Sequence, residues 1–180
     1  GTVFVVPNMR MLDKTDRSLA EQYIPFLAEA IKGVIHHDLH ASLLIHTPED
    51  RALVRPIQNA CGFEIDVVEE SCPLRLKGIL GTAYAVISSR FHALVGALSQ
   101  NVPALAVGWS HKYEQLMREY GCPEAAVQVN DQNGLTATLG QILKEPTRPA
   151  IIDGIRRAND CIRQEIATMW SAVDQVLAPA

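Results

Sequence analysis

Three stretches of this sequence gather cations and histidines: Asn8-Met9-Arg10, Ser88-Ser89-Arg90-Phe91-His92 and Gly108-Trp109-Ser110-His111-Lys112. Each follows a short apolar run and opens a helix-like segment. The amino end of a helix is already partly positive and favours carboxylates in its first turn. Arg90 with His92, and His111 with Lys112, run against that preference. A bound anion would offset the conflict, because helix-terminal N–H groups and cations attract the same ligand. The expected chemistry is capture of a small phosphorylated or carboxylated ligand. Histidine adds proton transfer near neutral pH. Two other turns, Pro48-Glu49-Asp50 and Glu69-Glu70, are acidic instead.

Each of these residues also has a structural reading. Arg90 could pair with a core carboxylate such as Asp66. His92 could be a core histidine, because Ala93, Leu94, Val95, Ala97 and Leu98 make the rest of its helix apolar. Arg10, His111 and Lys112 could be solvated surface. Trp109 could stack on a ligand or simply pack. His36 and His40 have a spacing that could hold a metal on one helix face. The cluster of His36, His37 and His40 reads better as an exposed helix end, where histidine suits the dipole. No metal is expected. Glycine-rich phosphate loops and the GxSxG elbow are missing, and Ser88 and Ser89 lack flanking glycines.

The elements that must position these residues alternate. Apolar runs over 3–6, 43–46, 64–68, 83–88, 104–107 and 126–129 read as strands. Helical segments lie between them at 19–34, 47–60, 73–80, 90–99, 112–120 and 134–144, with Ser18 and Glu21 as a capping box for the first. Continuous apolar strands separated by helices predict an α/β fold: a doubly wound, mainly parallel Rossmann-like sheet of about six strands, flanked by helices. In the order 3-2-1-4-5-6 ligands bind beyond the carboxyl ends of the strands, where the order reverses. Strands 1, 4 and 5 are neighbours there, which brings the three basic turns together. The acidic turns fall to one side.

The last segment differs. Ile151, Ile155, Ala158, Ile162, Ile166, Met169, Val173 and Val176 recur in steps of three and four, predicting one long amphipathic helix over 150–178. It could pack on its own sheet, or its far end could reach another domain.

Composition sets the outer bounds. The chain has 180 residues, 48% hydrophobic and 20% charged, with net charge −4. That suits one domain with its own core and excludes the basic footprint of a nucleic-acid binder. No apolar run reaches the roughly 20 residues of a membrane span, and no signal peptide is evident. The sequence opens directly on a strand-like segment, as a piece of a longer protein would. Four cysteines without a CxxC pair read as buried or half-buried thiols in a reducing cytoplasm.

The segment Ser89-Arg90-Phe91-His92-Ala93-Leu94, then Ala97-Leu98, Val102-Pro103 and the 104–107 strand, resembles the signature of the polysaccharide pyruvyl transferase family. Lys112, Leu116, Met117, Tyr120 and Gly121 fit the helix that follows. Phe91 stands where Leu is usual. The close match covers about 84–121, and the remainder fits by element order. The resemblance implies the carboxyl-terminal half of a two-domain fold like the B-type glycosyltransferases, with the active site between two Rossmann-like halves. It also implies transfer of pyruvate from phosphoenolpyruvate onto two sugar hydroxyls as a ketal, in exopolysaccharide or cell-wall polysaccharide synthesis. His92 is then the catalytic residue. Arg10, Ser89, Arg90, His111 and Lys112 form the binding set. Phosphoenolpyruvate is the donor, no cofactor is called for, and the acceptor is a sugar or polysaccharide precursor met largely by the missing half. A nucleotide-sugar glycosyltransferase half would want a similar anion pocket. A non-catalytic Rossmann-like module would bind no donor.

Overall fold

The computed structural model describes residues 1–177. Six strands, β1 (Thr2–Val6), β2 (His40–Ile45), β3 (Asp66–Glu69), β4 (Ala85–Ser88), β5 (Ala104–Val107) and β6 (Ala126–Val127), form one sheet. Its order is β3-β2-β1-β4-β5-β6, and every neighbouring pair runs parallel. This is the Rossmann-like arrangement expected from the alternating pattern. β1 and β4 are adjacent at the reversal of strand order, with Val6 opposite Ser88.

The helices are α1 (Arg10–Asp13), α2 (Arg17–His36), α3 (Val54–Cys61), α4 (Pro73–Gly81), α5 (Phe91–Leu98), α6 (His111–Glu119), α7 (Gln132–Leu143) and α8 (Thr147–Leu177). Alternate strand side chains serve two cores. Val3, Val5, Leu43 and Ile87 meet α2 through Phe26 and Ile31. Phe4, Val6, Leu44 and Val86 meet α4 and α5 through Leu80 and Leu94. Each fully buried side chain of this size contributes about 1.5–3 kcal/mol of hydrophobic stabilisation. With both faces covered, β1, β2, β4 and β5 show the continuous burial expected of their apolar runs, while the edge strand β3 is largely exposed.

Several local expectations change. The first long helix begins at Arg17, so Ser18 lies inside it. Asp16 is the cap instead, accepting the Leu19 N–H at 3.0 Å, and Glu21 pairs with Arg17 at 2.7 Å. The segment expected as one helix over 47–60 is a 3-10 turn at Pro48–Leu53 followed by α3. The turn points Asp50 inward, where it is fully buried. His36 ends α2 while His40 opens β2, so the two histidines do not share a helix face. Cys61 and Cys122 are buried and Cys72 is intermediate, but Cys161 is exposed, contrary to expectation.

The long helix packs on its own sheet by its first half only. Ile155 and Asn159 are buried, with Asn159 donating to the Leu98 carbonyl at 2.7 Å. Further along, Ile166, Met169 and Trp170 are about half exposed or more. Residue 178, expected to close this helix, lies outside the described residues.

Candidate active site

The chain leaves β4 through Ser88, Ser89 and Arg90, and this turn is fixed from several directions. Ser88 Oγ accepts the Arg90 N–H at 2.9 Å and donates to the Arg90 carbonyl at 3.1 Å. Ser89 is fully buried. Its Oγ accepts from the Tyr23 hydroxyl at 2.9 Å, and its carbonyl accepts from Asn8 Nδ2 at 2.8 Å and the Tyr113 hydroxyl at 2.9 Å. Tyr23 itself accepts the Asn8 backbone N–H at 2.9 Å. Burial pushes the Tyr113 phenol up to about 12 and raises Tyr23 further, so both remain protonated donors. One polar knot therefore joins the turns after β1, β4 and β5 (through α2 and α6). Gly108 makes room for it, since a Cβ there would collide with the Tyr113 ring.

Arg90 pairs with a carboxylate, but not with Asp66. Its Nε lies 2.8 Å from Asp50 Oδ2 and its Nη2 lies 2.5 Å from Oδ1, while Thr47 Oγ1 accepts a third bond at 2.8 Å. The fork-to-fork geometry gives direction as well as energy. Asp50 is fully buried and also accepts the Met9 N–H at 2.9 Å. The acidic turn after β2 is therefore not set apart from the basic ones. It reaches under them and compensates Arg90, which keeps only a fifth of its side chain exposed.

His92, in the first turn of α5, is exposed, which removes the core reading. It lines an open cavity of about 340 Å³ with His46, Glu70, Leu76, Lys77 and Leu80. His46 sits just past β2 and was not singled out from the sequence. The signal was its place at the carboxyl end of a strand beside the reversal point. Its Nδ1 is buried without a hydrogen-bond partner. Burial first, then the Arg90 charge, holds its pKa below the usual histidine value.

Arg10 and Arg90 meet at a second pocket of about 210 Å³, completed by Met9, Asp13, Thr47 and Glu49. Arg10 is about half exposed and pairs with Asp13 at 2.9 Å. Hydrogen bonds from its own backbone and from Thr47, aided by Arg90 and Arg10, hold the Glu49 carboxyl below its usual range. His111 lines a third, smaller pocket with Trp109, Ser110 and Glu114. Lys112 is exposed, and its Nζ lies over Phe91 at 5.1 Å and over Tyr113 at 5.3 Å. Trp109 packs against Tyr113 with ring centroids 5.8 Å apart. Thus the six expected site residues share one sheet edge. Arg10 and Arg90 share a pocket, His92 and His111 line separate ones, and Ser89 lies beneath.

Among the described residues no helix is long and apolar enough to cross a membrane. Nor does any group of three or more His, Cys, Asp or Glu side chains among them converge on a metal position. The family model for polysaccharide pyruvyl transferase matches residues 6–111, more than half of the chain. The match runs from the end of β1 to the start of α6 and takes in Arg10, Ser89, Arg90, His92 and His111. Given that span, with the Ser-Arg-x-His turn inside it, this chain belongs to the polysaccharide pyruvyl transferase family.

Proposed function

We propose that the protein transfers pyruvate from phosphoenolpyruvate to two sugar hydroxyls, forming a ketal during exopolysaccharide or cell-wall polysaccharide synthesis. The observation that carries this reading is the sharing of one sheet edge by an arginine pocket and an exposed histidine. Arg10 and Arg90 line the pocket, and His92 stands two residues beyond Arg90. Phosphoenolpyruvate carries a phosphate and a carboxylate, so it needs at least two cationic contacts. Arg10 and Arg90 hold one anionic group, and Lys112 with His111 guides the other. Ser89 serves by anchoring the turn.

His92 supplies the acid. It protonates the methylene carbon of the donor, which makes the adjacent carbon electrophilic. A sugar hydroxyl adds there, phosphate leaves, and the second hydroxyl closes the ketal. The chemistry needs a group that donates and regains a proton near neutral pH, and imidazole suits it.

In this reading the chain is the donor half of a longer cytoplasmic enzyme, inactive on its own. The exposed Ile166, Met169 and Trp170 face of α8 turns toward the other half. The test compares the complete reading frame with its His92→Ala variant, supplying phosphoenolpyruvate and following phosphate release and sugar pyruvylation. Transfer should fall by about 10²–10⁴-fold, the usual scale for loss of a positioned acid. Full activity in the variant rejects the assignment. Calorimetry then compares phosphoenolpyruvate with UDP-sugars, and binding of UDP-sugars alone assigns the pocket to a glycosyl donor.

A further inference from the structure

The His92 cavity holds a second imidazole to which the reaction above gives no work. It lies between α4 and α5, at the carboxyl end of β2, with a volume of about 340 Å³. Leu76 and Leu80 give it an apolar floor, and Glu70, Lys77, His46 and His92 a polar margin. That mixture suits a pyranose ring, which has apolar C–H faces and hydroxyl edges. It does not suit phosphoenolpyruvate, whose anionic groups find their arginines in the adjoining pocket.

We propose that this cavity seats the acceptor sugar and that His46 is the base that takes the proton from the first attacking hydroxyl. The inference rests on the pyruvyl-transfer reading, and it assigns the acceptor to this chain as well as the donor.

The surroundings of His46 fit a base. His46 lines the cavity, and its Nδ1, shielded from solvent, has no partner within the protein, so no hydrogen bond there fixes the ring's protonation. The charged and titratable groups around it are Arg90 and Asp50 from the neighbouring turns, His92 from α5, and Glu70 and Lys77 across the cavity. Burial, with the Arg90 charge outweighing that of Asp50, favours the neutral imidazole, the form that accepts a proton.

The proton count closes with two histidines. His92 gives a proton to the methylene carbon, and the first hydroxyl oxygen bonds to the adjacent carbon while its proton passes to His46. The carbon–oxygen bond to phosphate then breaks, and phosphate leaves with the proton held by His46. The second hydroxyl forms the other carbon–oxygen bond and returns its proton to His92. Both side chains end as they began, and the products are a ketal and hydrogen phosphate.

The experiment uses the complete reading frame, with methyl glycosides of galactose, glucose, mannose and N-acetylmannosamine as probes. Saturation-transfer NMR should detect at least one of them. Ser71 and Lys77 also line the cavity and are exposed, and the signal should vanish when either is enlarged, by Lys77→Trp or Ser71→Trp, with phosphoenolpyruvate affinity unchanged within about twofold. With the glycoside that binds, His46→Gln and His46→Asn should each lose at least about 100-fold in kcat while KM for phosphoenolpyruvate holds. The acid limb of the pH–rate profile should disappear with them. The inference is overturned if no glycoside is detected, if its signal survives both tryptophans, or if His46→Gln works at the wild-type rate. It is equally overturned if the kcat loss follows a loss of phosphoenolpyruvate affinity. A wild-type protein that neither binds phosphoenolpyruvate nor transfers pyruvate fails one step earlier and overturns the reaction itself.

Discussion

Asp50 and Arg90 form a two-pronged ion pair, 2.8 Å and 2.5 Å on its two arms, between turns forty residues apart. The carboxylate is fully buried and the guanidinium four-fifths covered. Such a pair costs desolvation to form, so its net contribution to stability is small, but breaking it leaves one charge stranded. Asp50→Ala should therefore destabilise the fold by about 3–5 kcal/mol. Replacing both residues, as in Asp50→Leu with Arg90→Met, should recover much of that loss. Urea unfolding of Asp50→Leu, Arg90→Met and the double variant measures the coupling.

The polar knot around Ser89 makes a graded prediction. Tyr23→Phe removes a hydroxyl that both accepts from Asn8 and donates to Ser89, leaving a buried N–H without a partner. The cost should be about 1–3 kcal/mol. Tyr113→Phe removes one bond to a carbonyl that keeps Asn8 as a donor, so its cost should be about 0.5–1.5 kcal/mol. Gly108→Ala should exceed the Tyr113→Phe cost, because it displaces the whole ring. Chemical denaturation ranks the three, and a Tyr113→Phe variant less stable than Tyr23→Phe would contradict the network.

The fold was legible because parallel strands buried on both faces must be apolar throughout, and the segment around 85–88 shows that signal plainly. Helix ends were less legible: Asp16 and Ser18 are both good caps, and only tertiary packing chooses between them. At the site, the Ser89-to-His92 turn could be read because its chemistry is local. The partner of Arg90 could not. Asp50 and Asp66 are both acidic positions near neighbouring strands, and the choice depends on the 3-10 turn that swings Asp50 inward. His46 carries no such local signal, being a single polar residue at the end of an apolar strand. It shares a cavity lining with His92, a relationship between elements that no sequence spacing encodes.

Stability should depend on pH through two histidines. His46 is depressed by burial and then Arg90, and His37 by burial and then Lys144. A depressed histidine binds fewer protons in the folded chain than in the unfolded one. Its contribution is complete above the ordinary value of 6.5 and is lost as pH falls below that value through the folded one. Thermal midpoints should therefore decline from pH 7 toward pH 5. His46→Gln should flatten part of that slope and leave the share due to His37. A midpoint that rises on acidification over this interval would contradict the assignment.

The two arginines of the proposed donor pocket should respond differently to removal. Arg10 is about half exposed, and its ion pair with Asp13 spans one turn of a short helix. Pairs of that kind contribute about 0–1 kcal/mol, so Arg10→Ala should leave the unfolding midpoint nearly unchanged. A charge-assisted contact to an anionic ligand contributes about 1.5–3 kcal/mol, so the same change should weaken phosphoenolpyruvate binding by about 10- to 100-fold. Arg90→Ala should weaken binding too, but it also strands the buried carboxylate of Asp50 and should lower stability by several kcal/mol. Calorimetric titration paired with thermal unfolding separates the two outcomes. An Arg10→Ala protein that keeps full donor affinity would take Arg10 out of the binding set and leave Arg90 to hold the anion alone.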